Sequence, residues 1–311
     1  MKRTALAMVL STARNTIGTD AAVGRAVLDI GVLGLRALSF CAALQAAGVP
    51  LFLALIAGES QIARESSLAL AKRSAWAALF LVAFYQVAEP VRLLGALSGV
   101  LDAPLQRELL EAPIGTATAV RLLGLLLIAV GCRLWERRGP TVAVLGSGFV
   151  AASFTFMGHT AEGDDRWLTS VALLIHVLVA AFWFGSLLPL YLAGRRESLD
   201  VSGMLIERFS HIAVRTVPAI FVAGLVLALA LLPSVASLRT SYGALLLTKV
   251  AGFSLLMGAA AVNKMKLGPR VRSGQSQALV TFRKVAVAEW MLIAGVIATT
   301  AAMTGLFSPG H

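Results

Sequence analysis

The sequence predicts an all-α membrane protein, a polytopic bundle of eight transmembrane helices. Hydrophobic residues make up 58% of the 311-residue chain and charged residues 14%, whereas a soluble domain usually carries about 25% charged residues. The mean hydropathy is +0.83. Eight apolar runs approach the roughly 20 residues that a helix needs to cross a bilayer. Because the charged residues cluster between these runs, the net charge of +11 indicates membrane topology and argues against nucleic-acid binding.

The apolar runs predict the spans in chain order. We expect them at residues 27–57, 74–99, 114–134, 141–158, 168–192, 209–232, 242–262 and 285–307. All but the fourth and fifth contain isolated charges, and the fifth holds a histidine. The fourth is the shortest and has many small residues, which allow close helix packing. The chain, 1–311, is therefore expected to form a single integral membrane domain with an extracytoplasmic N-terminal segment, 1–25, whose apolar start is too short for a signal peptide.

Positive charge sets the expected orientation. The loops after odd-numbered spans hold most of the lysine and arginine residues outside the spans, and such loops face the cytoplasm. We therefore expect a multi-pass protein of the bacterial inner membrane with both termini extracytoplasmic, although the basic residues before the first span oppose this orientation. Two outer loops are then acidic and would concentrate cations, although short loops are also commonly polar. Their acidic residues are Asp102, Glu108, Glu111, Glu162, Asp164 and Asp165.

A repeated pattern favours two parallel four-helix halves. GTATAVRLLG (115–124) and GALLLTKVAG (243–252) both place a cation six residues after a glycine and a second glycine three residues later. Weaker correspondences pair Gly48 with Gly185 and Met157 with Met303. Four spans per half would relate 26–139 plus 140–158 to 167–307 by an axis along the membrane normal. Short glycine matches in apolar helices also arise by chance, and both interpretations stay open.

Charged side chains inside the spans must avoid lipid, because each costs a few kcal/mol there. They either form buried ion pairs that join helices or line an ion or proton path. One of them, Arg215, can also extend to the inner interface. Asn263 is expected near the depth of Glu289. The charged residues concerned are Arg36, Glu89, Arg92, Arg121, Arg215, Lys249 and Glu289.

Sulfur and imidazole groups suggest a copper route. Met157 and His159 lie at the outer mouth of the fourth span, and thioether and imidazole ligands suit copper, especially Cu(I). His176 is about 12 Å deeper on the fifth span, with Trp183 on the same helical face. Each histidine could instead hydrogen-bond a neighbouring helix.

Further groups are weaker candidates for this route. Met303 is a candidate fourth ligand. Cys41 is a candidate ligand on the inward path, although a small buried cysteine usually only packs. His211 and His311 are expected to be an interfacial polar residue and part of a solvated tail, respectively.

These motifs together resemble the copper resistance protein D (CopD-like) family. The resemblance rests on MGH (157–159), H-x6-W-x-G from His176 to Gly185, RFS (208–210), SYGALLLTK (241–249), Asn263 and the AEW around Glu289. It implies eight inner-membrane helices, copper movement inward from the periplasm, a periplasmic copper-binding partner, and His159 and His176 as functional residues. The polar HTAEGDD after MGH departs from the family pattern, which bears on the outer entrance and on partner docking.

The sequence leaves three functions open. One is a structural scaffold, and the other two handle copper or haem. The first is a copper permease without enzymatic activity, which takes Cu(I) from Met157, His159 and Met303 to His176. Its path would be lined by Trp183, Lys249, Arg121, Arg36, Asn263, Glu289 and Cys41. The second is a haem-binding oxidoreductase or haem-handling protein with haem b, because histidines in helical bundles commonly ligate haem iron. The expected partners are copper ion, the lipid bilayer and a periplasmic copper-binding protein, with no nucleic acid.

Overall fold

The computed structural model describes residues 2–58, 60–157, 166–232 and 235–306, with the backbone only for 2–22, 231, 235 and 306. Within these residues every regular element is helical. The α-helices are α1 (Lys2–Phe52), α2 (Gln61–Leu94), α3 (Ala103–Glu111), α4 (Pro113–Arg133), α5 (Gly139–Ala152), α6 (Arg166–Arg196), α7 (Leu199–Leu231), α8 (Ser241–Val262), α9 (Gly268–Arg272) and α10 (Ser276–Leu306). Short 3-10 turns cover Leu97–Leu101, Ser153–Phe156 and Val235–Arg239, and π-turns cover Leu53–Ala57 and Asn263–Leu267.

Eight segments of the described chain are long and apolar enough to cross a membrane, which confirms the predicted fold class. They are Val23–Ala57, Gln61–Leu94, Pro113–Arg133, Gly139–Phe156, Arg166–Arg196, Leu199–Ala230, Ser241–Arg272 and Ser276–Gly305. The second, sixth and eighth begin well before the predicted positions 74, 209 and 285. Ser60 and Ser198 explain two of these early starts, because their hydroxyls accept hydrogen bonds from the backbone N–H of Ala63 and Val201.

The helix α1 occupies the centre of the bundle, where it packs against α2, α5, α6 and α10. Its most apolar stretch is 72% buried, compared with 17% for the corresponding stretch of the α7 span and 11% for that of α8. The interior is therefore built around α1, and α7 and α8 expose most of their surface to the bilayer.

The closest approach of α1 to α6 is made by two glycines. A Cβ added to Gly48 would lie 1.8 Å from the carbonyl oxygen of Ala181, and one added to Gly185 would lie 2.4 Å from the Cα of Gly48. Neither position accepts a side chain, so the two backbones touch. The two glycines that the repeat pairs are thus in contact, while the repeat itself stays a prediction.

The two ends of the bundle differ in charge. We call the end where α2 finishes and α4 begins the acidic side, because α3 and its cap carry Asp102, Glu108 and Glu111. The opposite end is the basic side. Several of its cations lie on helical extensions and on the π-turn after α8, where loops were predicted. They include Arg64, Lys72, Arg195, Lys264, Lys266 and Arg272.

Candidate functional site

Two buried arginines meet at one aromatic ring near the acidic side. Arg36 of α1 is 6% exposed and Arg121 of α4 is 2% exposed. Their guanidinium carbons lie 5.5 and 5.2 Å from the centroid of the Phe40 ring. Arg121 also lies 4.2 Å from the Phe154 ring, and Arg36 lies 5.8 Å from that of Tyr85. These five residues form what we call the arginine cluster, in which ring faces take the place of carboxylates.

Arg121 connects this cluster to Met157. Its Nε donates a hydrogen bond to the Ser153 hydroxyl over 3.0 Å, and its NH2 group lies 3.9 Å from the Met157 sulfur. The predicted metal ligand and the predicted path residue are therefore neighbours. His159, the other ligand expected at this mouth, lies outside the described residues.

Met303 is buried near the acidic end of α10. A Cβ added to Gly305, two residues further on, would lie 2.9 Å from a terminal nitrogen of Arg36. The structure thus places Met303 at the same end of the bundle as Arg36.

Among the described buried charges one ion pair forms, and it lies within α2, so it does not join two helices as predicted. Arg92 donates from Nε to a Glu89 oxygen over 3.0 Å, and the two side chains form an ion pair. Among the described residues no carboxylate lies within 4.0 Å of the charged nitrogens of Arg36, Arg121 or Lys249. Arg215 is exposed, as expected for a side chain that reaches the interface.

A second cluster lies towards the basic side and joins three residues that the sequence singled out separately. Glu289 of α10 is 1% exposed. Asn263, at the start of the π-turn after α8, donates from Nδ2 to a Glu289 oxygen over 2.7 Å. The indole of Trp183 on α6 interacts with the same carboxylate, although its Nε1 has no acceptor at ordinary hydrogen-bond geometry. We call these three residues the Glu289 cluster.

Cys41 and Gln45 of α1, which we call the polar row, lie between the two clusters. Gln45 accepts a hydrogen bond from the Trp290 indole over 2.9 Å and donates one to the Gly185 carbonyl over 3.3 Å. Cys41 lies one turn earlier, with its sulfur 3.9 Å from the Ala294 carbonyl. Sequence reasoning missed Gln45, although a lone amide inside the apolar run AALQAAG is the kind of signal that identifies such a residue.

His176 faces α7. Its Nδ1 lies 3.4 Å from the Ile220 carbonyl oxygen. A Cβ added to Gly224, one turn along α7, would lie 3.5 Å from the ring, so the missing side chain makes room for the imidazole. Lys249 of α8 lies within electrostatic range of the ring.

Trp183 also contacts α7, through an edge contact with Phe209 at 6.2 Å between ring centroids. Trp183 and His176 therefore share a face of α6, as predicted. The described residues contain no group of three or more His, Cys, Asp and Glu side chains that could hold a metal ion.

Comparison with known proteins extends the resemblance seen in the motifs. Residues 27–168 match the N-terminal domain of copper resistance protein D-like proteins, and residues 203–303 match copper resistance protein D. Together these regions cover most of the chain.

Two relatives agree with these family matches. Copper resistance protein D of Pseudomonas syringae pv. tomato is 30% identical over 173 residues, which are 51% of this chain and 56% of the relative. Inner membrane protein YebZ of Escherichia coli K12 is 28% identical over 148 residues, 45% of this chain and 50% of the relative. The matches span about half the length of these relatives, and no solved structure matches. The two matched regions and the eight apolar helices show that the chain belongs to the copper resistance protein D family of membrane proteins.

Proposed function

We propose that this chain moves copper ions across the bacterial inner membrane, from the periplasm to the cytoplasm. Family membership supports a copper-related function in a membrane. The distribution of lysine and arginine supports the orientation, because the basic side faces the cytoplasm under the positive-inside rule. Both chain termini then lie in the periplasm. The sulfur and imidazole groups at the other side favour Cu(I).

The placement of His176 is the observation that carries this proposal. A metal-binding histidine usually donates its second ring N–H to a carbonyl or carboxylate, which fixes the tautomer and aims the free nitrogen at the metal. The Ile220 carbonyl lies beside Nδ1 of His176, and Nε2 makes no hydrogen bond within the described part of the chain. In this arrangement Nε2 is the donor atom available to copper.

Lys249 constrains how copper uses this position. A protonated amine within electrostatic range of His176 repels a copper ion, and the repulsion is strong in a region of low dielectric. Copper therefore occupies His176 when the ammonium group turns away or loses its proton. We expect Lys249→Met to increase the copper retained per protein, because the methionine removes the charge and keeps a flexible apolar chain. Equal copper retention in wild type and Lys249→Met would contradict this role.

The periplasmic entrance is assigned to Met157, His159 and Met303. A thioether beside the Arg121 guanidinium is a weak ligand for a bare cation, so the entrance exchanges copper quickly, as conduction requires. A periplasmic copper-binding protein is the expected donor. Inside the bundle the side chains of Cys41 and Gln45 and the Glu289 cluster offer further polar groups towards the basic side.

Copper accumulation in cells tests the proposal. We expect His176→Ala to reduce accumulated copper to the level of cells without the protein. His211→Ala is the matched control, because His211 is an exposed histidine on α7 that contacts Glu207 over 3.8 Å. If both variants accumulate copper as the wild type does, His176 is not on the route.

A visible spectrum of the purified protein tests the haem alternative. His211 precedes Ile220 by nine residues on α7, or roughly 13 Å along the helix, so His176 and His211 cannot ligate one iron from opposite faces. A strong Soret band at one haem per chain would replace the copper proposal. We expect no such band and no enzymatic turnover.

A further inference from the structure

We propose that the Glu289 cluster is a proton-binding site inside the membrane, in which Glu289 gains and loses a proton as copper passes. The coupling to copper rests on the proposed function, whereas proton binding by Glu289 does not. Three features of the cluster carry the argument. They are the burial of the carboxyl group without a cation, the polar atoms around it, and its position next to the π-turn at the basic side.

Burial without a counter-ion is the first feature. Glu289 is 1% exposed, and among the described residues no lysine, arginine or histidine nitrogen lies within 4.0 Å of its oxygens. A carboxylate in this setting is strongly disfavoured, and the group binds a proton or another cation instead. A structural ion pair of the kind formed by Glu89 and Arg92 does not account for it.

In the described part of the chain no second titratable group lies at hydrogen-bond distance from Glu289. The groups that meet it are Trp183 from α6 and Asn263 from the turn after α8. The nearest cations on α10 are Arg283, which donates to the Gly194 carbonyl, and Lys284, which is exposed. Charged side chains of the other packed elements have different contacts or are exposed. They include Arg208, bonded to the Ile56 carbonyl, Arg272, paired with Glu207, Lys249, near His176, Arg36, over the Phe40 ring, and exposed Lys264 and Lys266.

The neighbours of Glu289 suit both of its protonation states. The Asn263 amide donates from Nδ2 to the ionised carboxylate, and its Oδ1 is buried with no hydrogen-bond partner. When the amide turns over, Oδ1 accepts the O–H of the protonated acid across the same 2.7 Å, an ordinary length for an O–H···O bond. The Trp183 N–H meets the same carboxyl group without an ordinary hydrogen bond, and it can donate to either form, more strongly to the ionised one.

The local backbone places the site next to the exposed basic surface. Asn263 begins a π-turn, Asn263–Leu267, whose following residues include exposed Lys264 and Lys266. Such departures from regular α-helix occur frequently at functional sites. Asn263 is thus a buried residue at the point where α8 gives way to the exposed basic surface.

Copper and the proton compete at this site because both are cations. An empty bundle holds Glu289 as the neutral acid. A copper ion that moves from the polar row on α1 towards the basic side favours the ionised carboxylate, and the displaced proton leaves to water. One proton is released as each copper ion arrives, and the carboxylate takes up one proton again when the copper has left, so each passage releases a proton only transiently. No electron is transferred in this exchange.

Infrared difference spectroscopy of the purified protein tests proton binding without copper. We expect a C=O stretching band of a protonated carboxylic acid that is lost in Glu289→Gln and retained in Glu65→Gln, whose carboxylate is exposed on α2. Asn263→Leu should shift the band, because it removes the hydrogen-bond partner. Absence of the band from wild type at every pH tested overturns the proposal. A band that sodium alone removes at constant pH also overturns it, because the site would then bind sodium.

Vesicles loaded with a pH-sensitive dye test the coupling. Copper added to vesicles that contain the wild type should transiently acidify the solution on the basic side, and Trp183→Phe, which keeps the ring and loses the N–H, should reduce the amplitude of this proton release. Copper movement in wild type without proton release overturns the coupling. If the wild type moves no copper, the proposed function fails, and the infrared result then decides the proton-binding site separately.

Discussion

The arginine cluster and the Glu289 cluster pose the same physical problem at opposite ends of the bundle. Arg36 lies beside Gly305 on α10, and the helix from Glu289 to Gly305 is roughly 24 Å long. In each cluster an ionisable side chain is buried and forms no ion pair with any residue that the structure describes. The arginines are surrounded by aromatic rings, and Glu289 is surrounded by an amide and an indole.

The different surroundings follow from the chemistry of the two groups. A guanidinium is planar, delocalised, weakly hydrated and stays charged, so it can stack on ring faces. A carboxylate concentrates its charge on two oxygens, which require donors or a proton. The acidic side of the interior therefore holds a permanent positive charge, whereas the basic side holds a charge that can be switched off by protonation.

The largest expected loss of stability comes from a substitution that breaks the arginine cluster. Phe40→Ala removes the ring that both guanidinium groups contact and leaves a cavity, so we expect the free energy of unfolding to fall by about 3–5 kcal/mol. Unfolding in mixed detergent micelles measures it. Phe80→Ala is the control, because Phe80 is 69% exposed on α2 and its loss should change stability little. A small effect of Phe40→Ala would show that the arginines do not depend on the ring.

The next largest loss of stability is expected from a substitution that breaks the Glu289 cluster. Asn263→Leu leaves a buried carboxyl group without its hydrogen-bond partner, and we expect a loss of about 1–3 kcal/mol in the free energy of unfolding. Gln275→Leu serves as a control at an exposed amide on the same side. Wild-type stability in Asn263→Leu would show that Glu289 does not need the amide.

A smaller effect is expected at the polar row between the clusters. Gln45→Leu removes the acceptor of the Trp290 N–H and the donor to the Gly185 carbonyl, and we expect a loss of about 1 kcal/mol. The same unfolding measurement applies, with Gln45→Glu as a partner variant that keeps the acceptor. If Gln45→Leu equals the wild type in stability, the amide has no structural role, and reduced copper movement in that variant would assign it to the path.

The smallest expected effect is the coupling between the two clusters. Because they lie far apart and share no partner, the stability changes of Phe40→Leu and Asn263→Leu should add within about 0.5 kcal/mol. The double variant measures this sum. A larger coupling energy would show that the polar row on α1 transmits changes from one cluster to the other.

Particular residues show how far sequence reasoning reached. The apolar runs predicted all eight spans, because crossing a bilayer requires length and hydrophobicity that can be read along the chain. The starts of α2 and α7 were placed too late, since hydropathy marks the apolar part of a helix and misses its capped, charged extension from Ser60 or Ser198. Trp183, Asn263 and Glu289 were selected as buried polar residues, but their common site was not predicted.

The sequence by itself determined that this chain is an α-helical membrane protein, that it has eight apolar spans in this order, and which family it resembles. Periodicity, hydropathy and motif spacing are local properties, and the bilayer turns them directly into structure. Only the tertiary structure decided the partners of the buried groups. It paired Arg121 with Met157, directed His176 towards Gly224, and joined Trp183 to Glu289. These contacts depend on helix rotation and crossing, which packing between distant segments sets.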